Sequence, residues 1–215
     1  QVVRKPADYK TDLKPIWCPG CGHGIVLGAL VRAMDQVGLD RDKTVLVSGI
    51  GCSSRATGYL DFDTLHTTHG RALAFATGVK ASNPELKVIV ITGDGEMLMN
   101  VGSLASIAVE VPKNLTIVVL DNEGCGETGM QKTPTASGVD LSAIATACGI
   151  RTSRMVRTMA EVAELRDLAH EGRGTAFAQI KINPEALGFV MPPADGVILT
   201  TRFRQSVLGD DALFN

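Results

Sequence analysis

The chain has 215 residues, 45% of them hydrophobic and 20% charged, with a formal net charge of -2. That balance suits one folded domain burying about two-thirds to three-quarters of its unfolded surface, excludes a disordered chain, and gives no electrostatic basis for capturing nucleic acid or anionic lipid. No apolar run reaches the length of a membrane span, and residues 1–13 carry Arg4, Lys5, Asp8, Lys10 and Asp12 instead of the apolar core of a secretory signal, so a cytoplasmic protein is expected.

Residues 1–16 read as an N-terminal arm. Trp17-Cys18-Pro19-Gly20-Cys21-Gly22-His23-Gly24 follows, and its C-x-x-C, in a chain with an odd total of 5 cysteines, points to metal or redox chemistry and away from a disulfide framework. Residues 25–37 show helical spacing, with Leu27, Leu30, Val31 and Met34 on one face. The apolar run 44–47, ending in Ser48-Gly49, reads as a buried parallel strand. An alanine-rich helix is expected over 69–81, strands over 87–92 and 115–120, and between them a helix over 97–109 that stops before Pro112. Residues 141–148 suggest a short helix. Thr158 with Glu161 forms a capping box for another. A last strand covers 176–182, and 190–215 reads as an extended C-terminal arm after Pro192-Pro193. Alternation at this pace predicts an α/β fold, a doubly wound and mainly parallel sheet with helices on both faces, as a single domain over 1–215. Such sheets bind ligands beyond the carboxyl ends of their strands.

Two motifs fall at those ends. Gly93-Asp94-Gly95 follows one strand directly, and Asp121-Asn122 follows the next. A carboxylate and a carboxamide from neighbouring strand ends suit an octahedral magnesium ion that also takes phosphate oxygens. The glycines let backbone N–H groups approach a diphosphate, and the start of the following helix favours negative charge.

Gly93-Asp94-Gly95 with Asp121-Asn122 resembles the diphosphate–magnesium motif of thiamine-diphosphate enzymes. The resemblance implies Asp94, the Asn122 side chain and the Gly124 carbonyl as metal ligands, with Gly93, Gly95 and the Glu96 backbone at the diphosphate. Three earlier blocks, Trp17 to Gly24, Gly49-Ile50-Gly51-Cys52-Ser53-Ser54 and Leu65-His66-Thr67-Thr68-His69-Gly70-Arg71-Ala72, resemble the β subunits of 2-oxoacid:ferredoxin oxidoreductases. That likeness implies Cys18, Cys21 and Cys52 as ligands of a four-iron cluster. It also implies Cys52, Ser53, Ser54, His69 and Arg71 near the cofactor, His69 and Arg71 serving as donors to diphosphate or to a substrate carboxylate. The fourth cluster cysteine of that family is expected near the last strand, where residues 176–193 contain none. Cys125, Cys148 or a non-cysteine ligand would have to replace it.

From Gly93 onward the chain also resembles sulfopyruvate and phosphonopyruvate decarboxylases, through Gly126-Glu127-Thr128-Gly129, Gly138-Val139-Asp140-Leu141 and Arg202-Phe203-Arg204. Both likenesses imply a thiamine-diphosphate subunit acting on a 2-oxo acid. The first implies an oxidative outcome with ferredoxin and coenzyme A, the second a non-oxidative one. A subunit that keeps the fold for assembly alone is the remaining alternative. Glu127 and Thr128 are expected to face the substrate. In this superfamily a glutamate from a separate pyrimidine-binding half activates the cofactor; this chain is too short to hold both halves, so a partner subunit is implied.

Overall fold

Strand by strand, the described residues of the computed structural model, 5–170, 174–183 and 193–213, run as α1 (Gly22–Gln36), β1 (Thr44–Ser48), β2 (Asp63–His66), α2 (Ala72–Ser82), β3 (Lys87–Gly93), α3 (Asp94–Leu98), α4 (Ser103–Glu110), β4 (Leu115–Asp121), β5 (Gly124–Cys125), β6 (Gln131–Lys132), α5 (Leu141–Cys148), β7 (Thr152–Val156), α6 (Met159–His170), β8 (Thr175–Lys181) and α7 (Gly196–Leu208). Six strands form one sheet in the order β2-β1-β3-β4-β8-β7, and every pairing is parallel. β5 and β6 make a separate antiparallel hairpin.

The central strands are largely β-branched and apolar because helices cover both of their faces. Alternate residues serve opposite layers. Ile89, Ile91, Val118, Leu120, Ala178 and Ile180 pack with Val26, Leu27, Leu30, Val31 and Met34 of α1. Val88, Val90, Ile117, Val119 and Phe177 pack with α2, α4 and α5 through Leu73, Leu104, Ile107 and Leu141. A wholly parallel sheet places all its carboxyl ends at one edge, and the chain departs from β3 and β4 there.

Several expectations change. The helix expected over 97–109 is two helices, α3 and α4, parted by a turn through Met99 and Gly102; Asn100 and Gly102 are poor helix formers. The helix expected from residue 69 begins at Ala72. The first arm is docked: Tyr9 is buried and stacks on Phe62 at 5.8 Å, and Lys10 bridges to Leu60. The extended arm expected over 190–215 is largely helical within its described residues, because α7 is capped by the Asp195 side chain accepting from Val197 N at 2.8 Å. Residues 190–192, Pro192 included, and 214–215 lie outside the described residues. Among the described residues no helix is long and apolar enough to cross a membrane.

Candidate active site

β3 and β4 pair with Gly93 opposite Leu120, so Asp94 and Asn122 emerge side by side at the carboxyl edge. A cavity of about 130 Å³ opens there, and Gly93, Asp94, Gly95, Glu96, Asn122 and Gly124 all line it. The Asn122 carboxamide oxygen is turned toward Asp94 Oδ1, 3.3 Å away, and toward the Gly124 carbonyl oxygen, 2.8 Å away; its nitrogen would donate to both only with the amide turned over. Turned over, the amide would join the two oxygens by hydrogen bonds; with its oxygen facing them, the three groups would suit a cation. Among the described residues no three His, Cys, Asp or Glu side chains form a metal cluster. The convergence consists instead of one carboxylate, one amide and one peptide carbonyl, a set of hard oxygens.

The other Asp94 oxygen, Oδ2, accepts hydrogen bonds from the Thr133 hydroxyl and from Thr135 Oγ1 at 3.0 Å. Burial pushes the Asp94 carboxyl above its usual range, the Thr133 hydrogen bond opposes this, and the Asp121 charge adds to it. An adjacent cation would reverse that shift. Asp121 itself takes no part in the cavity wall. Fully buried, it accepts from Thr135 Oγ1 (2.8 Å), Glu123 N (3.1 Å), Gln179 Nε2 (2.5 Å) and Lys181 Nζ (3.1 Å). Lys181 also pairs with Glu123 at 2.5 Å. The loop between these anchors is folded back by the β5–β6 hairpin, with Glu123 and Met130 in the left-handed region at φ 63 and φ 58, so Thr133 N reaches the Glu123 carbonyl at 3.1 Å.

Glu96 is a hub. Its buried carboxylate accepts from Ile50 N (3.1 Å), Gly70 N (3.2 Å), Ser54 Oγ (3.1 Å) and Thr92 Oγ1 (2.8 Å). It thereby ties the loops after β1 and before α2 to the end of β3. Gly49 is a close approach in that arrangement, because a Cβ there would lie 1.2 Å from Glu96 Oε1.

Of the residues singled out in the sequence, Cys52, Ser53, His69, Gly93, Asp94, Gly95, Glu96, Asn122, Gly124, Glu127 and Thr128 line this one cavity. His69 Nδ1 is buried with no hydrogen-bond partner. Ser54 is buried behind the wall on Glu96, and Arg71 is solvent-exposed at the start of α2, outside the wall. Glu127 is bound to Arg55 Nε at 2.6 Å, and Thr128 bonds within its own loop to Gln131 Oε1 at 2.6 Å. Cys18 is exposed and Cys21 partly so. Burial pushes the Cys52 thiol up, with Glu127, Cys21 and Cys18 adding to it against Arg55. Cys148 packs with the helices on the opposite face of the sheet.

Sequence reasoning missed His23, which lines the cavity, is buried, stacks on Trp17 at 5.8 Å and has Nδ1 3.1 Å from Cys21 Sγ. Burial lowers its pKa to about 4. Its place inside the C-x-x-C-G-H-G block was the available signal. Thr133 and Thr135 were also missed, and only their position after the Asn122 loop pointed to them.

The family model "Thiamine pyrophosphate enzyme, C-terminal TPP binding domain" matches residues 49–180. A 2-oxoglutarate synthase subunit KorB from Archaeoglobus fulgidus is 54% identical over 131 residues, covering 60% of this chain and 49% of the relative. The beta subunit of 2-oxoacid:ferredoxin oxidoreductase 1 from Aeropyrum pernix is 44% identical over 134 residues, covering 61% and 42%. Among solved structures, a 2-oxoglutarate:ferredoxin oxidoreductase from Magnetococcus marinus, with 2-oxoglutarate, coenzyme A and succinyl-CoA bound, superposes with a TM-score of 0.77 at 30% identity over 89% of this chain and 76% of that one. The chain spans about half the length of the curated relatives it matches. By sequence over residues 49–180, and by fold over most of its length, the chain belongs to the thiamine pyrophosphate enzyme family, with the beta subunits of the 2-oxoacid:ferredoxin oxidoreductases.

Proposed function

We propose that this chain is the thiamine-diphosphate-binding subunit of an enzyme of the 2-oxoacid:ferredoxin oxidoreductase type, which decarboxylates a 2-oxo acid together with a partner subunit. The observation that carries the reading is the convergence of Asp94 Oδ1, the Asn122 carboxamide and the Gly124 carbonyl. Neighbouring ligands of an octahedral magnesium ion with bonds of 2.0–2.1 Å stand about 2.9 Å apart, and the gaps of 2.8 and 3.3 Å fit such edges. These three groups would hold the metal. Gly93, Gly95 and the first N–H groups of α3, Glu96 included, would receive the diphosphate with the Ser53 hydroxyl. A Cβ at Gly93 would meet Ser53 Oγ at 3.0 Å and one at Gly95 would meet Cys125 Sγ at 3.2 Å, so glycine keeps these close approaches free of strain.

Thiamine diphosphate, when bound, supplies the carbon nucleophile that cleaves a 2-oxo acid and takes up the electron pair left as carbon dioxide departs. The orphaned His69 Nδ1 can donate to, or accept from, a ligand oxygen in the cavity. Glu127, held by Arg55, and Thr128 would border the substrate, and Glu127 can move a proton once released from its partner. Arg71, two residues from His69 but outside the wall, would attract anionic substrate from the rim. The partner would supply the pyrimidine-binding half and its glutamate; ferredoxin and coenzyme A are the co-reactants the family relationship suggests.

Cys18, Cys21 and Cys52 would offer three thiolates to an iron–sulfur cluster, one fewer than a four-iron cluster normally takes. Cys148 lies across the sheet, so a fourth donor would have to be Cys125, which lines the cavity with Cys52, or a non-cysteine group. That shortfall favours a second reading, non-oxidative decarboxylation of the sulfopyruvate or phosphonopyruvate type. The deciding experiment supplies the purified complex with a 2-oxo acid, thiamine diphosphate and magnesium. Viologen reduction dependent on coenzyme A supports the first reading, and free aldehyde supports the second. No carbon dioxide release from any 2-oxo acid, and no thiamine diphosphate binding, would overturn both.

A further inference from the structure

The Asn122 loop leaves the metal edge and returns to it. Thr133 N bonds to the Glu123 carbonyl at 3.1 Å, and Ala136 N bonds to the Thr133 carbonyl at 3.0 Å. Two buried hydroxyls are thereby placed against the far side of Asp94. Thr133 Oγ1 donates to Asp94 Oδ2. Thr135 Oγ1 stands 3.0 Å from the same oxygen, 2.8 Å from Asp121 Oδ1 and 2.9 Å from Thr133 Oγ1. With one proton and several acceptors in reach, Thr135 serves either carboxylate, while Thr133 stays committed to Asp94. Oδ2 is therefore occupied, and Oδ1 is the oxygen turned toward Asn122 and the cavity. The Thr133 methyl rests against Gly95, where a Cβ would come within 3.1 Å of Thr133 Cγ2.

We propose that Thr133 and Thr135 are positioning residues of the metal centre, selecting the oxygen that Asp94 offers to the cation and tying that carboxylate to the buried Asp121 and its partner Lys181. The proposal rests on reading Asp94 and Asn122 as magnesium ligands. A carboxylate free to rotate presents either oxygen and loses affinity for the cation; one pinned through Oδ2 is already oriented. Groups that orient a ligand from behind commonly govern metal affinity by about 10- to 100-fold.

The test uses the chain purified with its partner subunits and Mn2+ as the probe, its free concentration followed by electron paramagnetic resonance in the presence of thiamine diphosphate. Thr133→Val keeps the shape and removes the hydroxyl; Mn2+ affinity should fall about 10-fold or more. Thr133→Ser keeps the hydroxyl and removes the methyl; its affinity should stay within about twofold of the unaltered protein. A valine variant that binds like the unaltered protein overturns the proposal. So does a serine variant as weak as valine, because the methyl on Gly95 would then be what counts. Should Thr133→Val not fold, Thr135→Val carries the same test, with a fall of roughly threefold or more expected and unchanged affinity refuting the idea. Asp94→Asn separates this proposal from the reading beneath it: if that variant keeps full Mn2+ affinity, the ligand assignment fails, whatever the threonines do.

Discussion

Replacing Glu96 by leucine removes the acceptor on which four donors converge: Ile50 N, Gly70 N, Ser54 Oγ and Thr92 Oγ1. The two hydroxyls can rotate toward other acceptors, but the two amides are fixed in place. A buried N–H without a partner costs about 1–3 kcal/mol. Gly70 lies in the interior, whereas Ile50 is at the cavity wall where water reaches it, so the loss should total about 2–4 kcal/mol. Glutamine is the informative contrast. Its carbonyl oxygen can serve both amides while its NH2 donates to the two hydroxyls, leaving only lost charge assistance, about 1 kcal/mol. Urea unfolding followed by the fluorescence of Trp17, the sole tryptophan, measures both variants, and hydrogen exchange at Ile50 and Gly70 locates the effect. If leucine proves no more destabilising than glutamine, Glu96 is not what joins these loops.

Asp94→Ala should weaken thiamine diphosphate binding in magnesium by about 100-fold, the scale set by loss of a charged ligand; Trp17, whose indole donates to the Cys52 carbonyl at 2.7 Å beside the cavity, reports the titration, and an unchanged curve contradicts the assignment. Because burial depresses the His23 pKa to about 4 from 6.5, the unfolded chain binds the extra proton first. Its contribution to stability is complete above pH 6.5 and is lost as pH falls toward 4, on the order of 3 kcal/mol in all. Unfolding free energies at pH 7 and pH 5 should differ less in His23→Asn than in the unaltered chain. Gly22→Ala would place a Cβ 1.6 Å from Ile182 Cγ2, so the start of α1 must shift from the end of β8; a loss of about 1–3 kcal/mol is expected in urea, and a neutral result would mean that this junction yields freely.

β3 and β4 were legible because strands covered on both faces must be apolar at every position. β2 was not: all four of its residues are exposed at one margin of the sheet, so no burial pattern marks it. β7, at the other margin, buries only Val156 completely and carries Arg154. The split between α3 and α4 was masked by continuous apolar spacing, although Asn100 and Gly102 were visible as weak points. α7 was hidden by the reading of Pro192-Pro193 as the start of an arm, and its signal was the Asp195 cap. Within the site, sequence placed Asp94 and Asn122 together at the carboxyl edge because motif and strand end coincide. Arg71, expected near the cofactor, is exposed and outside the wall, since spacing along a loop does not say which side chains turn inward. Sequence reasoning missed His23 and the two threonines, whose importance depends on contacts across long stretches of chain.

Among the described strands β8 comes last in the chain, yet it lies between β4 and β7 and presents Gln179 and Lys181 to Asp121. While the chain is still emerging from the ribosome, β1 and β3 can pair long before that support exists. During this interval Asp121 has neither its amide nor its ammonium partner, and the flank of β4 is uncovered. Assembly of the centre is thus deferred until β8 has emerged, as expected where distant segments must meet. A nascent chain stalled before residue 181 would carry both Asp94 and Asn122 without the framework that sets them.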